Sequence, residues 1–462
     1  MIVDRVYTPG LAQVAYLVAD EQSGEAAVID PRRDVDEYLS WAETRGYRIV
    51  AILETHVHAD FVTGAQELAT ATGATVHANR RGESGFPHRP LDDGDEIAVG
   101  RLILQAVWTP GHTPEHMSYL LFDPASGTGP VALFSGDTLF AGEVGRPDLL
   151  GEEQTRNLAE QLYDTFAERL APLADAVVVY PGHTAGSACG RKIGDAPHTT
   201  LGTERQFNYA LQAGSREEFV SLVLAGMPKP PTYYPVLKRI NKAGPAPLAS
   251  LAEGEALGPE AVAWSQAEGA RVIDARSADA FGIAHIPGAV FAGLGLNFTA
   301  WMGWLAPYDR DLILVLDDDR FAEAQTELRR IGLDRVAGYL VGGLPAWRAA
   351  GYEVAALDQI TVQKLAQQLE AAHEGLVVLD VRRDDEWEMG HIAGARHLFA
   401  GEIVQGAAPP IDGASPVAVI CASGYRSSVA ASTLQARGYE NVINVCGGMD
   451  AWIEAGLPVT RE

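Results

Sequence analysis

Two stretches in the second half of the chain repeat each other, and no other feature restricts the fold as much. Arg271-Val272-Ile273-Asp274-Ala275-Arg276, with His285-Ile286-Pro287-Gly288-Ala289 after it, matches Val378-Leu379-Asp380-Val381-Arg382, with His391-Ile392-Ala393-Gly394-Ala395 after it. The copies also close alike, Gly342-Gly343-Leu344-Pro345-Ala346-Trp347 against Gly447-Gly448-Met449-Asp450-Ala451-Trp452. Copies about a hundred residues apart are each long enough to bury a core, so they are small domains and not solenoid units. Apolar runs at 312–316 and 417–420 alternate with helical segments, the pattern of a parallel α/β sheet with both faces covered.

The first half carries no copy of this unit. It reads as strands at 14–18, 26–29, 49–53, 102–107, 131–134 and 177–180, with a helix at 204–213. Pro228, Pro230 and Pro231 then break regularity, and residues 242–258, rich in Ala, Gly and Pro, read as a linker. The expected domains are therefore 1–243, 255–355 and 358–462. A net charge of −26 argues against nucleic acid or anionic membrane as a partner, because both need a basic face. Asp4, Arg5, Asp20, Glu21 and Glu25 interrupt the first thirty residues, so no signal peptide is expected. No run of about 18 apolar residues occurs, so no membrane span is expected. Three cysteines, Cys189, Cys421 and Cys446, are too few and too scattered for a disulfide framework, which fits a reducing cytoplasm.

Candidate metal ligands sit at the ends of the first-half strands. Thr55-His56-Val57-His58-Ala59-Asp60-Phe61 follows the apolar run 49–53. His112 lies in Thr109-Pro110-Gly111-His112, Asp137 in Ser135-Gly136-Asp137-Thr138, and His183 in Tyr180-Pro181-Gly182-His183. Singly, a histidine after a strand is more often structural than a ligand. Four such segments in this order resemble the metallo-β-lactamase superfamily, whose fold is an αββα sandwich and whose dinuclear zinc members include glyoxalase II. The superfamily run T-H-x-H-x-D-H ends in a histidine for the second ion, and here that position is Phe61. A phenyl ring has no lone pair to donate, which leaves Asp60 and His183 as a thin shell for a second ion.

One branch of the superfamily, the persulfide dioxygenases, works with a single non-haem Fe(II) on two histidines and one aspartate. That resemblance implies one Fe(II) on His56, His112 and Asp137, with His58, Asp60 and His183 around it or along a channel. Two imidazoles and a carboxylate with open positions opposite suit Fe(II) and O2, and zinc is the possible substitute. Gly145-Arg146-Pro147-Asp148 looks like the same branch. There Arg146 is either a group that holds an anionic thiol carrier or a structural arginine. Cys189, six residues past His183, is either a persulfide carrier or a small buried side chain.

Cys421-Ala422-Ser423-Gly424-Tyr425-Arg426-Ser427 follows the strand 417–420 and precedes a helical run at 428–437. A thiol there lies among backbone N–H groups at a helix N-terminus, which favours the thiolate, and Arg426 adds positive charge. Only four residues separate Cys421 from Arg426, one fewer than in the Cys-x5-Arg loop of tyrosine phosphatases. The loop, with Asp380, Arg382 and the closing Gly447-Gly448, resembles the active loop of a rhodanese domain, in which cysteine carries sulfur as a persulfide. The earlier copy has Val315-Leu316-Asp317-Asp318-Asp319-Arg320 at that place and no cysteine, so it is expected to be inactive in sulfur transfer. Its aromatic insert, 298–305, is either core or a domain contact. Cys446 reads as structural.

The expected fold class is α/β, an αββα sandwich followed by two doubly wound parallel-sheet rhodanese domains. The whole order resembles persulfide dioxygenase–rhodanese fusion proteins of bacterial sulfide detoxification. That resemblance implies a cytoplasmic homo-oligomer using glutathione or coenzyme A persulfide, O2, sulfite and thiosulfate. The rival expectations are a zinc thioester hydrolase of glyoxalase II type and a non-catalytic sulfur-carrier module.

Overall fold

The computed structural model describes residues 1–371, 375–411 and 415–461 and divides into two units. The first, holding Met1–Leu251, is built on two six-stranded sheets. In one, Ile2–Thr8, Gln13–Asp20, Glu25–Ile29, Arg48–Leu53, Thr75–Asn79 and Arg89–Leu91 lie in chain order, antiparallel at first and parallel from Glu25–Ile29 onward. In the other the order is Thr199–Thr200, Val178–Pro181, Ala132–Gly136, Met117–Phe122, Leu102–Trp108 and Glu96–Val99.

Strand Gln13–Asp20 shows why four layers form. Its alternation of side chains sends Val14, Tyr16 and Val18 between the sheets, against Leu104, Tyr119 and Phe134. Ala15, Leu17 and Ala19 face the other way, onto Tyr38, Trp41 and Leu68 of the covering helices Asp36–Arg45 and Ala65–Thr72. Both faces are buried, so the strand reads as a nearly unbroken apolar run. The outer face of the second sheet is covered in the same way by Leu162, Phe166 and Phe219. Two buried phenols tie the sheets together where the strands end. Tyr16 donates to Pro181 O at 2.7 Å and Tyr119 donates to Glu54 O at 2.7 Å. These bonds hold the loop after Arg48–Leu53 against the loops of the opposite sheet.

The second unit, holding Ala252–Leu328 and Leu333–Glu462, contains two parallel five-stranded sheets of identical order. One runs Glu255–Leu257, Val336–Leu340, Leu312–Val315, Arg271–Asp274, Val290–Phe291; the other Asp358–Thr361, Val442–Cys446, Val417–Ile420, Val377–Asp380, Arg396–His397. The repeated motif residues do the same structural work in both copies. Arg276 grips Asp274 and donates to Ala284 O at 2.7 Å, while Arg382 grips Asp380 and donates to Gly390 O at 2.8 Å. His285 stacks on Phe281 and His391 on Trp387, at centroid distances of 3.8 and 3.4 Å. Trp347 and Trp452 each cap the chain beyond their helices, donating to Glu353 O and Pro458 O.

Two expectations need correction. Residues 242–258 are only partly a linker, since helix Tyr234–Ala243 takes the start and Glu255–Leu257 pairs with Val336–Leu340 as an edge strand. The helix expected at 204–213 runs over Leu201–Phe207. Thr200 caps its start, and Asn208 leaves the helix to donate to Glu143 O and Glu204 Oε2. The aromatic insert is a helix, Phe298–Leu305, and it is a contact between the copies: Trp304 meets Phe399 edge to face at 5.7 Å. Among the described residues no helix is long and apolar enough to cross a membrane.

Candidate metal centre and thiol loop

Four loops at strand ends in the first unit bring together His56, His112, Asp137 and His183, which are far apart in sequence. Gly136 makes the approach possible. Its φ is +51°, and a Cβ there would stand 2.7 Å from His116 Nε2 and 2.8 Å from Thr55 Cβ. His56 Nε2 and His112 Nε2 then lie 3.8 and 3.6 Å from Asp137 Oδ2, with all three side chains buried. Neither His56 Nε2 nor Asp137 Oδ2 has a hydrogen-bond partner. Buried polar atoms are seldom left so, and two orphaned atoms converging with His112 Nε2 fit a cation.

The far nitrogens are fixed. His112 Nδ1 donates to Arg146 O at 2.9 Å. Thr55 Oγ1 donates to Asp30 Oδ2 at 2.8 Å, so it accepts from His56 Nδ1–H at 2.9 Å and leaves Nε2 bare. Burial pushes His56 well below the ordinary histidine range and lowers His112 too, which keeps both lone pairs available. Burial works against ionisation of Asp137, but His183 and His112 outweigh it and hold the carboxyl well below the usual carboxylate range. Two neutral imidazoles and one carboxylate suit Fe(II) or zinc.

His58 faces elsewhere. Its Nε2 lies 3.1 Å from Asp30 Oδ1 and 3.4 Å from Glu54 Oε2, and its ring packs 4.3 Å from the fully buried Phe61. Burial opposes the charge on this ring, but Asp30 and Glu54 raise it well above the usual histidine range. His183 bridges two carboxylates, Nδ1 to Asp137 Oδ1 and Nε2 to Asp60 Oδ2, both at 2.8 Å.

Here the structure corrects the thin shell expected for a second ion. Donor atoms of Asp60, His183 and Cys189 lie within 4.8 Å of one another, so a thiol stands beside the two remaining ligands. Burial pushes that thiol well above its ordinary value. Arg146 is also corrected as a substrate-binding candidate. It is fully buried and committed to Asp148 by two bonds of 2.7 Å, to Ala188 O at 3.0 Å and to Pro228 O at 2.6 Å. The guanidinium braces the segment that carries Cys189.

Several site residues escaped the sequence reading. Asp30 and Glu54 hold His58, and neither belongs to a recognisable spacing. Asn241 donates to His58 O and Phe61 O at 2.8 and 2.7 Å and accepts from Thr63 N at 3.0 Å, fixing the loop from a distant helix. His116 accepts from Asp137 N at 3.0 Å, and burial pushes it down to about 3, so it is neutral. Its place four residues after His112 was the available signal.

In the second unit, Cys421 leaves strand Val417–Ile420 and helix Tyr425–Ala436 begins four residues later. Gly424, at φ +108°, turns its N–H toward the sulfur at 3.1 Å, and Cys421 Sγ lies 3.4 Å from Ser427 Oγ. The closing Gly-Gly turn locks the loop from behind. Met449 N donates to Cys421 O at 2.7 Å and Asp450 N to Ala422 O at 2.9 Å. A Cβ on Gly448 would come within 2.4 Å of these carbonyls, so only glycine fits. Arg426 is not a free charge, because Glu386 takes it in two bonds of 2.5 and 2.6 Å. In the other copy Asp318 occupies the matching turn and accepts from Gly342 N at 3.1 Å. The residue that follows the strand in place of Cys421 is Leu316, which has no sulfur to carry.

Comparison with known proteins agrees with this division. The metallo-beta-lactamase superfamily model matches residues 8–183, and the rhodanese-like domain model matches 259–350 and 361–455. The hydroxyacylglutathione hydrolase of Polaromonas sp. is 38% identical over 187 residues, 40% of this chain and 66% of that protein, just under two thirds of its length. The mitochondrial persulfide dioxygenase of Bos taurus is 28% identical over 232 residues, 50% of this chain and 84% of that protein. A solved metallo-beta-lactamase from Staphylococcus aureus superposes with a TM-score of 0.66 at 31% identity, covering 74% of this chain and 98% of that one. The chain belongs to the metallo-β-lactamase superfamily and carries two rhodanese-like domains.

Proposed function

We propose that the first unit oxidises the sulfane sulfur of a low-molecular-weight thiol persulfide with O2, and that Cys421 handles sulfane sulfur in the second. The first step converts persulfide, O2 and water to thiol and sulfite. In the second, a persulfide on Cys421 passes its outer sulfur to sulfite, which regenerates the Cys421 thiolate and forms thiosulfate; the reverse direction is equally balanced. The observation that carries this reading is the withdrawal of His58 to Asp30 and Glu54, which leaves three donors instead of four around one point. Three facial donors leave positions for substrate and O2.

His56, His112 and Asp137 would hold the ion. Fe(II), when bound, supplies the electron transfer that activates O2. Thr55 and the Arg146 carbonyl orient the two imidazoles, and His116 orients Asp137 through its backbone N–H. Gly424 N–H supports negative charge on the Cys421 sulfur.

One observation favours a second reading, a zinc thioester hydrolase. The Asp60–His183–Cys189 group offers a soft donor set for another ion. Metal analysis of the anaerobically purified chain, with O2 uptake on glutathione persulfide and hydrolysis of S-lactoylglutathione, separates the two. One iron per chain with uptake is expected. Two zinc ions with thioester hydrolysis and no uptake would sink the oxygenase reading.

A further inference from the structure

A cavity of about 700 Å³ in the second unit lies between the two repeat copies and includes no residue assigned to chemistry above except the flank of the Cys421 loop, Ser423–Tyr425. That volume suits a ligand of small-peptide size. Its wall from the second copy is a row on adjacent strands. Asn444 and Cys446 share one face of Val442–Cys446, and Gln359 stands opposite Asn444 in register. Gln359 is engaged at both ends: its amide nitrogen donates to Ala278 O at 2.9 Å, and its oxygen accepts from Cys446 at 3.0 Å. Asn444 is not. The residue is 2% exposed, it lines the cavity, and its Oδ1 has no hydrogen-bond partner. A buried amide oxygen left without a donor calls for an N–H or O–H from a ligand.

The charges of the cavity select among ligands. Arg276 and Arg320 face it, and so do Asp279 and Asp317, for a net charge of zero. Arg276 is already neutralised by Asp274. Arg320 is half-exposed, with both its Nε and Nη2 on Glu323 and Nη1 left over. A polyphosphate carrier would meet two carboxylates here with no uncommitted pair of cations to offset them. A zwitterion of peptide size meets Nη1 of the Glu323-paired Arg320 for its carboxylate, Asp279 or Asp317 for its ammonium, and Asn444 Oδ1 for an amide N–H.

We infer that this inter-repeat cavity binds a small zwitterionic peptide, which, on the sulfur chemistry proposed above, is the thiol carrier. The choice thus falls on a peptidic carrier over a nucleotide-bearing one. Cys446 sits in the wall as a local reporter, partly exposed, while Cys189 and Cys421 are buried.

The test uses the full chain and S-methylglutathione, a thioether that neither accepts sulfur nor is oxidised at a persulfide. Alkylation of Cys446 by iodoacetamide, read by peptide mass spectrometry, should slow at least fivefold with saturating S-methylglutathione and remain unchanged with coenzyme A. Binding measured by calorimetry should weaken tenfold or more in Asn444→Ala and in Arg320→Glu, the second being a surface change that folding tolerates. Unslowed alkylation in the presence of bound S-methylglutathione overturns the assignment of the site. Equal or better protection by coenzyme A overturns the charge argument. Neither readout involves O2 or sulfur transfer, so failure here leaves the proposed activity standing, and loss of O2 uptake with protection intact would count against that activity alone.

Discussion

Thr55→Val removes one hydroxyl and almost nothing else, and its effect should fall on the metal. Thr55 is 1% exposed, and its Oγ1 joins His56 Nδ1 at 2.9 Å to Asp30 Oδ2 at 2.8 Å. Valine keeps the shape but leaves the His56 Nδ1–H facing a hydrocarbon in a buried site. An unsatisfied buried donor costs about 1–3 kcal/mol. Asp30 keeps Thr55 N at 2.7 Å and His58 at 3.1 Å, so the neighbouring charge pair stays in place. The loss should therefore appear mainly as a freer His56 ring. Removing an outer partner of a ligating histidine typically lowers metal affinity about 10–100-fold, or about 1.4–2.8 kcal/mol. Anaerobic competition with an Fe(II) chelator measures this directly, with Thr55→Ser as the control that restores the hydroxyl and binds within a fewfold of the native chain. Iron held by Thr55→Val as tightly as by the native chain would refute the assignment of His56 Nε2 as a ligand.

Cys421→Ser should abolish sulfur transfer from thiosulfate to cyanide while leaving persulfide-dependent O2 uptake in place, measured side by side on one preparation. Arg146→Met should destabilise the first unit by about 3–5 kcal/mol, because it strands Asp148 and two carbonyls. In that variant Cys189 should become open to alkylation, and a native-like melting temperature would contradict the bracing role. Burial pushes His77 down to about 4, and its Nδ1 has no partner. The unfolded chain binds that proton more readily, so this contribution is complete above pH 6.5 and lost as pH falls from there through 4. Urea unfolding of the chelated chain should show roughly 3 kcal/mol of it, and His77→Gln should flatten that part of the profile.

Much of the site was legible because its chemistry sits at strand ends, where one residue type follows an apolar run. His56, His112, Asp137 and His183 all stand in that position, and the structure brings them together as a group. The Cys421 loop was legible for the same reason. What sequence spacing does not encode is a partner reached only through the tertiary fold. Glu386 lies 40 positions from Arg426, and nothing local marks the pair that cancels its charge. Asn241 lies 180 positions from the Phe61 carbonyl it holds. Cys189 stands six residues past His183, but its approach to Asp60, 129 positions away, is set only by the tertiary fold. Glu255–Leu257 was missed because three residues with no alternation become a strand only beside Val336–Leu340.

Phe61 remains the residue on which the reading turns. It has no donor atom, it packs on His58, and His58 in turn is held by two carboxylates away from the ion's place. The most direct measurement is the ratio of O2 consumed to sulfite formed when the anaerobically purified, iron-loaded chain meets glutathione persulfide. The account gives one O2 per sulfite and thiosulfate taken together, lost in His112→Ala and kept, as free sulfite alone, in Cys421→Ser. Stoichiometric zinc on the native chain, with thioester hydrolysis and no O2 consumed, would contradict it.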